Sequence, residues 1–236
     1  MLQVRHFTKR YGRLTALNDV TFAVREGEVL GLIGPNGSGK TTLFECMGGV
    51  LPLDEGSLVR DGRPLADRER ASILFYLPDQ IVPWPAQSVR WAIDFTLGFF
   101  GGRFHLRDEV IRRLDVEPLL DATIGSLSKG QRKRALLAIG LLMPQPLLLA
   151  DEPFDGLDLR QSRDVAQTLR SYASAGRTMF LSIHQIRDAA RVCDRFVLLS
   201  GGRARGEGTL QELSALAAAR GSAAGDDLEE VFLALT

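Results

Sequence analysis

Gly34-Pro35-Asn36-Gly37-Ser38-Gly39-Lys40-Thr41 fits the pattern G-x-x-x-x-G-K-[ST], with Thr42 directly behind it. These residue types in this order suit a polyphosphate. Glycines let the backbone come close to phosphate oxygens, Lys40 reaches the β and γ phosphates as a point charge, and the Thr41 hydroxyl can ligate Mg²⁺. A second constellation lies at Asp151-Glu152, two carboxylates that close the apolar run Leu147-Leu148-Leu149-Ala150. Adjacent carboxylates beside a phosphate loop divide the work: Asp151 would hold Mg²⁺ through its water shell, and Glu152 would polarise an attacking water as general base. His184 follows another apolar run, and Ser128-Lys129-Gly130-Gln131 opens a helical pattern. A helix amino terminus capped by Ser attracts anions through its free N–H groups and dipole.

The elements that must position these groups are readable from periodicity. Val29-Leu30-Gly31-Leu32-Ile33 predicts a buried strand and residues 40–47 a helix opening at the loop, so backbone N–H groups and the positive helix end face one point. The runs 147–151 and 178–183 predict strands whose carboxyl ends carry Asp151-Glu152 and His184, the edge where ligands of open α/β sheets bind. Residues 2–8 and 15–25 are strand-like and predict an antiparallel flap. Gly56 to Gly62 gives a strand and an Asp-Gly turn, and Ser72 to Leu77 another buried strand before Pro78.

From Pro83 the texture changes. Val89 to Phe100 mixes aromatic and aliphatic residues, Gly101-Gly102 breaks it, and Leu106 to Leu120 is amphipathic, which reads as an inserted helical subdomain. A helix is expected from near Ser128 to Met143, where Pro144 stops it. Helices at about 159–175 and 186–192 then alternate with strands 178–183 and 195–199. The fold class is α/β: a P-loop NTPase core with a mainly parallel sheet, an antiparallel β flap and an inserted helical subdomain. The expected division is 1–80 with 135–208 as core, 81–134 as helical subdomain carrying residues 127–131, and 209–236 as a helical tail with an Ala/Gly-rich joint at 217–225 and a last segment from Asp226.

Composition is that of a globular chain, 45% hydrophobic and 25% charged over 236 residues. Twenty-nine basic and 29 acidic residues balance, so charge gives no argument for a nucleic-acid partner or for direct adhesion to anionic lipid. The lysines are Lys9, Lys40, Lys129 and Lys133, all other basic residues being arginine. The longest apolar stretch, Ala135 to Ala150, is cut by Pro144 and Pro146 and falls short of the ~20 residues a bilayer span needs. The amino terminus has no apolar signal core, and Cys46 and Cys193 read as packed thiols of a reducing compartment, so a cytoplasmic chain is expected.

The ordered set of motifs resembles the ATP-binding subunit of an ABC transporter. Its markers are Tyr11 before the phosphate loop, Pro78-Asp79-Gln80, the signature Leu127-Ser128-Lys129-Gly130-Gln131, Asp151-Glu152, Gly156-Leu157-Asp158 and His184. The resemblance implies ATP and Mg²⁺ as cofactors and a head-to-tail homodimer or pseudo-homodimer in which each signature helix caps the γ-phosphate held by its partner's loop. It implies also that His184 contacts the γ-phosphate, that Tyr11 stacks on adenine and that Asp158 closes the loop touching the opposite subunit. Gly156 stands where Ser or Ala is commoner, and Lys129 replaces the usual second glycine, either adding positive charge near the phosphate or pointing to solvent. A glutamine after Tyr-Leu-Pro senses Mg²⁺ in the family. Here Asp79 follows Tyr76-Leu77-Pro78, so Gln80 is named first and Asp79 is its rival.

The function implied is an ATPase that moves a separate membrane subunit docked on residues 80–100, where Trp84, Trp91, Phe95, Phe99 and Phe100 line a groove. The short helical insert and the ending Leu228 to Thr236 resemble exporters, and the expected location is the inner face of the cell membrane, bound through the permease. Relatives acting in DNA repair, chromosome organisation or translation carry coiled coils, zinc modules or two cassettes, for which these 236 residues hold no pattern. A GTPase would need Asn-Lys-x-Asp, and neither Asn18 nor Asn36 is followed by Lys.

Overall fold

The computed structural model describes residues 1–221 and 227–236. Its first two strands, β1 (Leu2–Tyr11) and β2 (Leu14–Val24), form the predicted antiparallel hairpin, and β4 (Glu55–Arg60) and β5 (Arg63–Pro64) extend it to a sheet of order β2-β1-β4-β5. A second sheet is built from β3 (Val29–Ile33), β6 (Leu74–Leu77), β7 (Leu147–Asp151), β8 (Thr178–Ile183), β9 (Arg195–Ser200) and β10 (Arg203–Gly208), in the order β10-β9-β3-β8-β7-β6. All its pairings are parallel except β10 against β9.

Helices α1 (Lys40–Gly48), α2 (Asp67–Ile73), α3 (Val89–Phe100), α4 (Arg107–Arg113), α5 (Lys129–Leu142), α6 (Leu159–Ser174), α7 (Ile186–Val192), α8 (Leu210–Ala219) and α9 (Leu228–Leu235) connect the strands or follow them. Among the described residues no helix is long and apolar enough to cross a membrane.

The parallel strands are apolar throughout because both faces are covered. Alternation assigns each residue a side. Leu30, Leu32, Leu147, Leu149, Phe180, Val197 and Leu199 pack with the flap and α1, where Phe180 meets Phe22 at 5.3 Å and Phe44 at 4.8 Å between ring centroids. Val29, Ile33, Leu148, Ala150, Met179, Leu181 and Leu198 face the opposite way, into a core shared with α3, α4, α5 and α6.

Several local expectations shift. Ser72 and Ile73, expected to open a strand, end α2 instead: Glu69 accepts from the Ala66 N–H at 2.9 Å, and Arg70 pairs with Asp67, so a short helix forms first. The amphipathic stretch 106–120 does not run as one helix. Asp115 has φ +50, and Pro118 sits in a single 3-10 turn at Glu117–Leu119. The edge strand β10 carries no apolar alternation and had no sequence expectation. Of the 217–225 joint, residues 222–225 lie outside the described residues, as does Asp226, whereas the tail helix from Leu210 is present and runs into the joint, Thr209 capping it by accepting from Glu212 N–H at 3.2 Å.

Candidate nucleotide site

Parallel strands place their carboxyl ends on one edge. β3 runs into residues 34–39, β7 into Glu152, β8 into His184 and β6 into Pro78-Asp79-Gln80, so four separate motifs arrive at one place.

The loop from Gly34 to Gly39 feeds α1. Gly39 has φ +105, and a Cβ there would stand 2.6 Å from the Ala16 carbonyl oxygen of the flap, so neither conformation nor space admits a side chain. Lys40, 8% exposed, folds over the loop and donates to the Gly34 carbonyl at 2.8 Å, with its ammonium 3.9 Å from Glu152 Oε1. Thr41 Oγ1 donates to Asp151 Oδ2 at 2.9 Å. Thr42 is half-buried beside it on the same turn.

Asp151 is 3% exposed. Its other oxygen accepts from Ser182 Oγ, and the same Oγ accepts from the Glu152 N–H at 3.0 Å. The β7–β8 register sets Asp151 opposite Ser182 and makes this possible. Sequence reasoning missed Ser182, and its signal is modest: Thr178 and Ser182 bring two hydroxyls into the fully buried run Thr178–Ile183, and each must find a partner. Glu152 then adopts φ +50, which few residues other than Gly accept. Its Oε2 accepts from the His184 backbone N–H at 2.9 Å. Burial pushes the Glu152 carboxyl above its ordinary range, against the opposing pull of Lys40 and of the His184 N–H. Asp188, on the first turn of α7, is pushed up by burial too.

Asn36, Asp79, Gln80, Glu152, Asp155 and His184 line a cavity of about 320 Å³. The fit to Mg²⁺ rests on the paired Thr41 hydroxyl and Asp151 carboxylate. Two hard oxygen donors suit an ion that keeps several waters and takes its other ligands from phosphate. Of the two rivals in the β6 turn, Asp79 is engaged: its carboxylate accepts from Lys133 Nζ at 2.7 Å. Gln80 is exposed at the cavity.

Residues 127–131 sit apart. Ser128 caps α5, its Oγ accepting from the Gln131 N–H at 3.3 Å while Gln131 Oε1 accepts from the Ser128 N–H at 2.9 Å. Among the described residues no hydrogen bond or ion pair joins 127–131 to 34–42. Lys129 is half exposed, and its ammonium pairs with Asp155 of the same chain. Gly156, with φ +83, completes the fit, since a Cβ there would stand 2.9 Å from Lys129 Cγ. Gly130 packs on the same loop, where a Cβ would meet the Gly156 carbonyl oxygen at 2.5 Å. Asp158 caps α6, accepting from the Gln161 N–H at 2.8 Å. Tyr11, 45% exposed, closes the β1–β2 hairpin, with the Lys9 ammonium 5.7 Å from its ring centroid.

A family model described as ABC transporter matches residues 17–155, more than half of the chain. The chain belongs to the ABC transporter family. It is the ATP-binding subunit, an ATPase whose hydrolysis is coupled to transport. Among ABC relatives, the SkfA peptide export ATP-binding protein SkfE of Bacillus subtilis (strain 168) is 28% identical over 86% of this chain and 87% of that protein. The taurine import ATP-binding protein TauB of Shigella boydii serotype 4 (strain Sb227) is 32% identical over 87% of this chain and 82% of that one. Relatives thus include exporters and importers.

A solved ATP-binding subunit of an ABC transporter superposes with a TM-score of 0.87 at 27% identity, over 100% of this chain and 99% of that one. A dimeric bacterial ABC transporter cassette gives 0.78 at 24% identity, over 89% and 98%, which shows the shared P-loop fold.

Ser182 is the testable keystone of this ABC site. Ser182→Ala removes the donor to Asp151 and the acceptor of the Glu152 N–H, leaving buried polar groups unpaired, and should cost about 1–3 kcal/mol in urea unfolding. ATP turnover should fall with it, and a variant equal to wild type in both measurements would contradict the geometry.

Proposed function

We propose that this ABC subunit hydrolyses MgATP in composite sites of a head-to-tail dimer and drives export through a separate permease. The observation that carries the catalytic part is the grouping of Lys40, Thr41, Asp151 and Glu152 at one sheet edge, with Glu152 Oε1 3.9 Å from the ammonium that would hold the terminal phosphate. In this reading Gly34, Pro35, Asn36, Gly37, Ser38 and Gly39 wrap the phosphates with Lys40, Thr41 and Thr42, and Tyr11 stacks on the base. Mg²⁺, held by Thr41 and Asp151 with Gln80 at its water shell, would neutralise charge on the β and γ oxygens.

Glu152 takes a proton from water as that water attacks the γ-phosphorus, and the bond to the β-phosphate oxygen breaks. The His184 N–H holds the second oxygen of Glu152, and its imidazole, in the cavity wall, contacts the γ-phosphate. Ser128, Lys129, Gly130, Gln131 and Asp158 belong to the face offered to the other chain. The proposed division follows from this: 1–80 and 135–208 bind nucleotide, 81–134 carry the signature and the docking surface, and 209–236 form the tail.

Docking is supported by an apolar groove of about 380 Å³ whose lining includes Phe75, Ile81, Pro83, Trp84, Phe99 and Phe100. Phe95 lines it too and stacks on Trp91 at 4.8 Å, and Phe99 is 74% exposed, an arrangement that water disfavours and a helix from a permease would cover. A chain docked in this way works at the cytoplasmic face of the membrane. Export is favoured over import by the short helical insert and by export relatives such as SkfE.

Two tests follow. Only the Glu152 carboxylate can act as base, and burial favours its neutral form, so the acid limb of the kcat profile should lie above the ordinary glutamate range. Glu152→Gln should lower kcat by roughly 10²–10⁴-fold while ATP still binds; an acid limb that survives in Glu152→Gln would assign it to another group. For the dimer, chains carrying Lys40→Ala and Ser128→Ala, each inactive alone, should on mixing regain about a quarter of wild-type turnover. Half of the pairs are then mixed, and each mixed pair keeps one intact site. No recovery on mixing would refute the shared site.

A further inference from the structure

We propose that Asp79 and Lys133 form a positioning pair for hydrolysis, tying the β6 turn and the signature helix to the strand end that presents Glu152. The proposal rests on Glu152 being the base and deepens that reading. Lys133 Nζ donates to Asp79 Oδ1 at 2.7 Å and to the Asp151 carbonyl oxygen at 3.0 Å. Its side chain is 6% exposed and that of Asp79 21%. One ammonium therefore joins three elements: the turn after β6, the second turn of α5 and the last residue of β7.

Three observations separate this from a structural ion pair. A buried pair is poor value for stability, because apolar replacements of similar volume are often neutral or better. The pair also stands at a departure from the family pattern: an acid occupies the position after Tyr76-Leu77-Pro78, and a lysine from the signature helix answers it. While that contact holds, Asp79 is a partner to Lys133 and the metal side is left to Gln80. Finally, Asp79 lies between two sites. It lines the cavity with Glu152, and the residues just after it, Ile81, Pro83 and Trp84, line the apolar docking groove. A pull on that groove reaches the backbone carbonyl adjoining Glu152 through a single rigid contact.

The experiment compares wild type, Asp79→Asn, Lys133→Met and the double variant. Each is measured for melting temperature, kcat and KM for MgATP, ATP affinity without divalent cation, and amide exchange at 78–80 and 151–154. Each single variant should melt lower, Asp79→Asn because it strands a buried cation. The double variant should recover most of the melting temperature, yet keep a kcat at least about tenfold below wild type, with KM and metal-free ATP affinity within about threefold and faster exchange at both segments. A double variant restored in both melting temperature and kcat would show that the pair only balances charge. Asp79→Asn with kcat within about twofold of wild type would overturn the proposal as well. Glu152→Gln, measured alongside, reports on the base itself and so keeps the two readings separate.

Discussion

The molecule is organised around one buried carboxylate. Asp151 is 3% exposed, and an ionised group at such a site is tolerable only when both oxygens are served. Thr41 and Ser182 serve them from two other elements. The requirement reaches far into the fold. Ser182 faces Asp151 only in the observed β7–β8 register, and a slip of one residue would turn Ser182 to the other face of the sheet. Thr41 reaches Asp151 only if α1 opens directly after Gly39, where flap backbone closes on the loop. The flap, the loop and two strands are thereby referred to a single charge.

From that anchor the reactive side chain is aimed by backbone geometry. Glu152 follows Asp151 with φ +50, its N–H held by Ser182 and its carboxylate held by the His184 N–H. Such a conformation is costly for a non-glycine residue, on the order of 1–3 kcal/mol, and persists only where surroundings determine it. Here the hydrogen bonds on both sides do so. Burial raises the proton affinity of this carboxyl, while the His184 N–H that aims it pulls the other way.

Much of this was legible in the chain because it is local. The phosphate loop, the runs ending at Asp151 and Ile183 and the Ser128 cap are fixed by neighbours within a turn or a strand. What escaped is what depends on long-range register or on space. Ser182 gains its role from a strand 31 residues away, and Lys133 finds Asp79 across 54. Asp79 and Gln80 were indistinguishable as oxygen donors until the structure showed one already engaged. Residues 106–120 have helical periodicity throughout, yet Asp115 turns out of it, an event that periodicity does not encode. β10 is an edge strand with polar residues, so no alternation announced it.

Lys129 shows how a departure from a family pattern is absorbed. Its ammonium is neutralised within its own chain by Asp155, and its methylenes lie where a side chain at residue 156 would otherwise stand. Lysine at 129 and glycine at 156 therefore fit each other. An exposed pair of this kind contributes little to stability, about 0–1 kcal/mol, so its effect is one of placement. In the proposed dimer, with that charge occupied, what α5 would offer to a phosphate held by the other chain is its dipole, the Ser128 hydroxyl and the N–H groups of its first turn. Those are directional groups held by a capping box. They reward a phosphate that arrives in one orientation, which a loose lysine charge would not require.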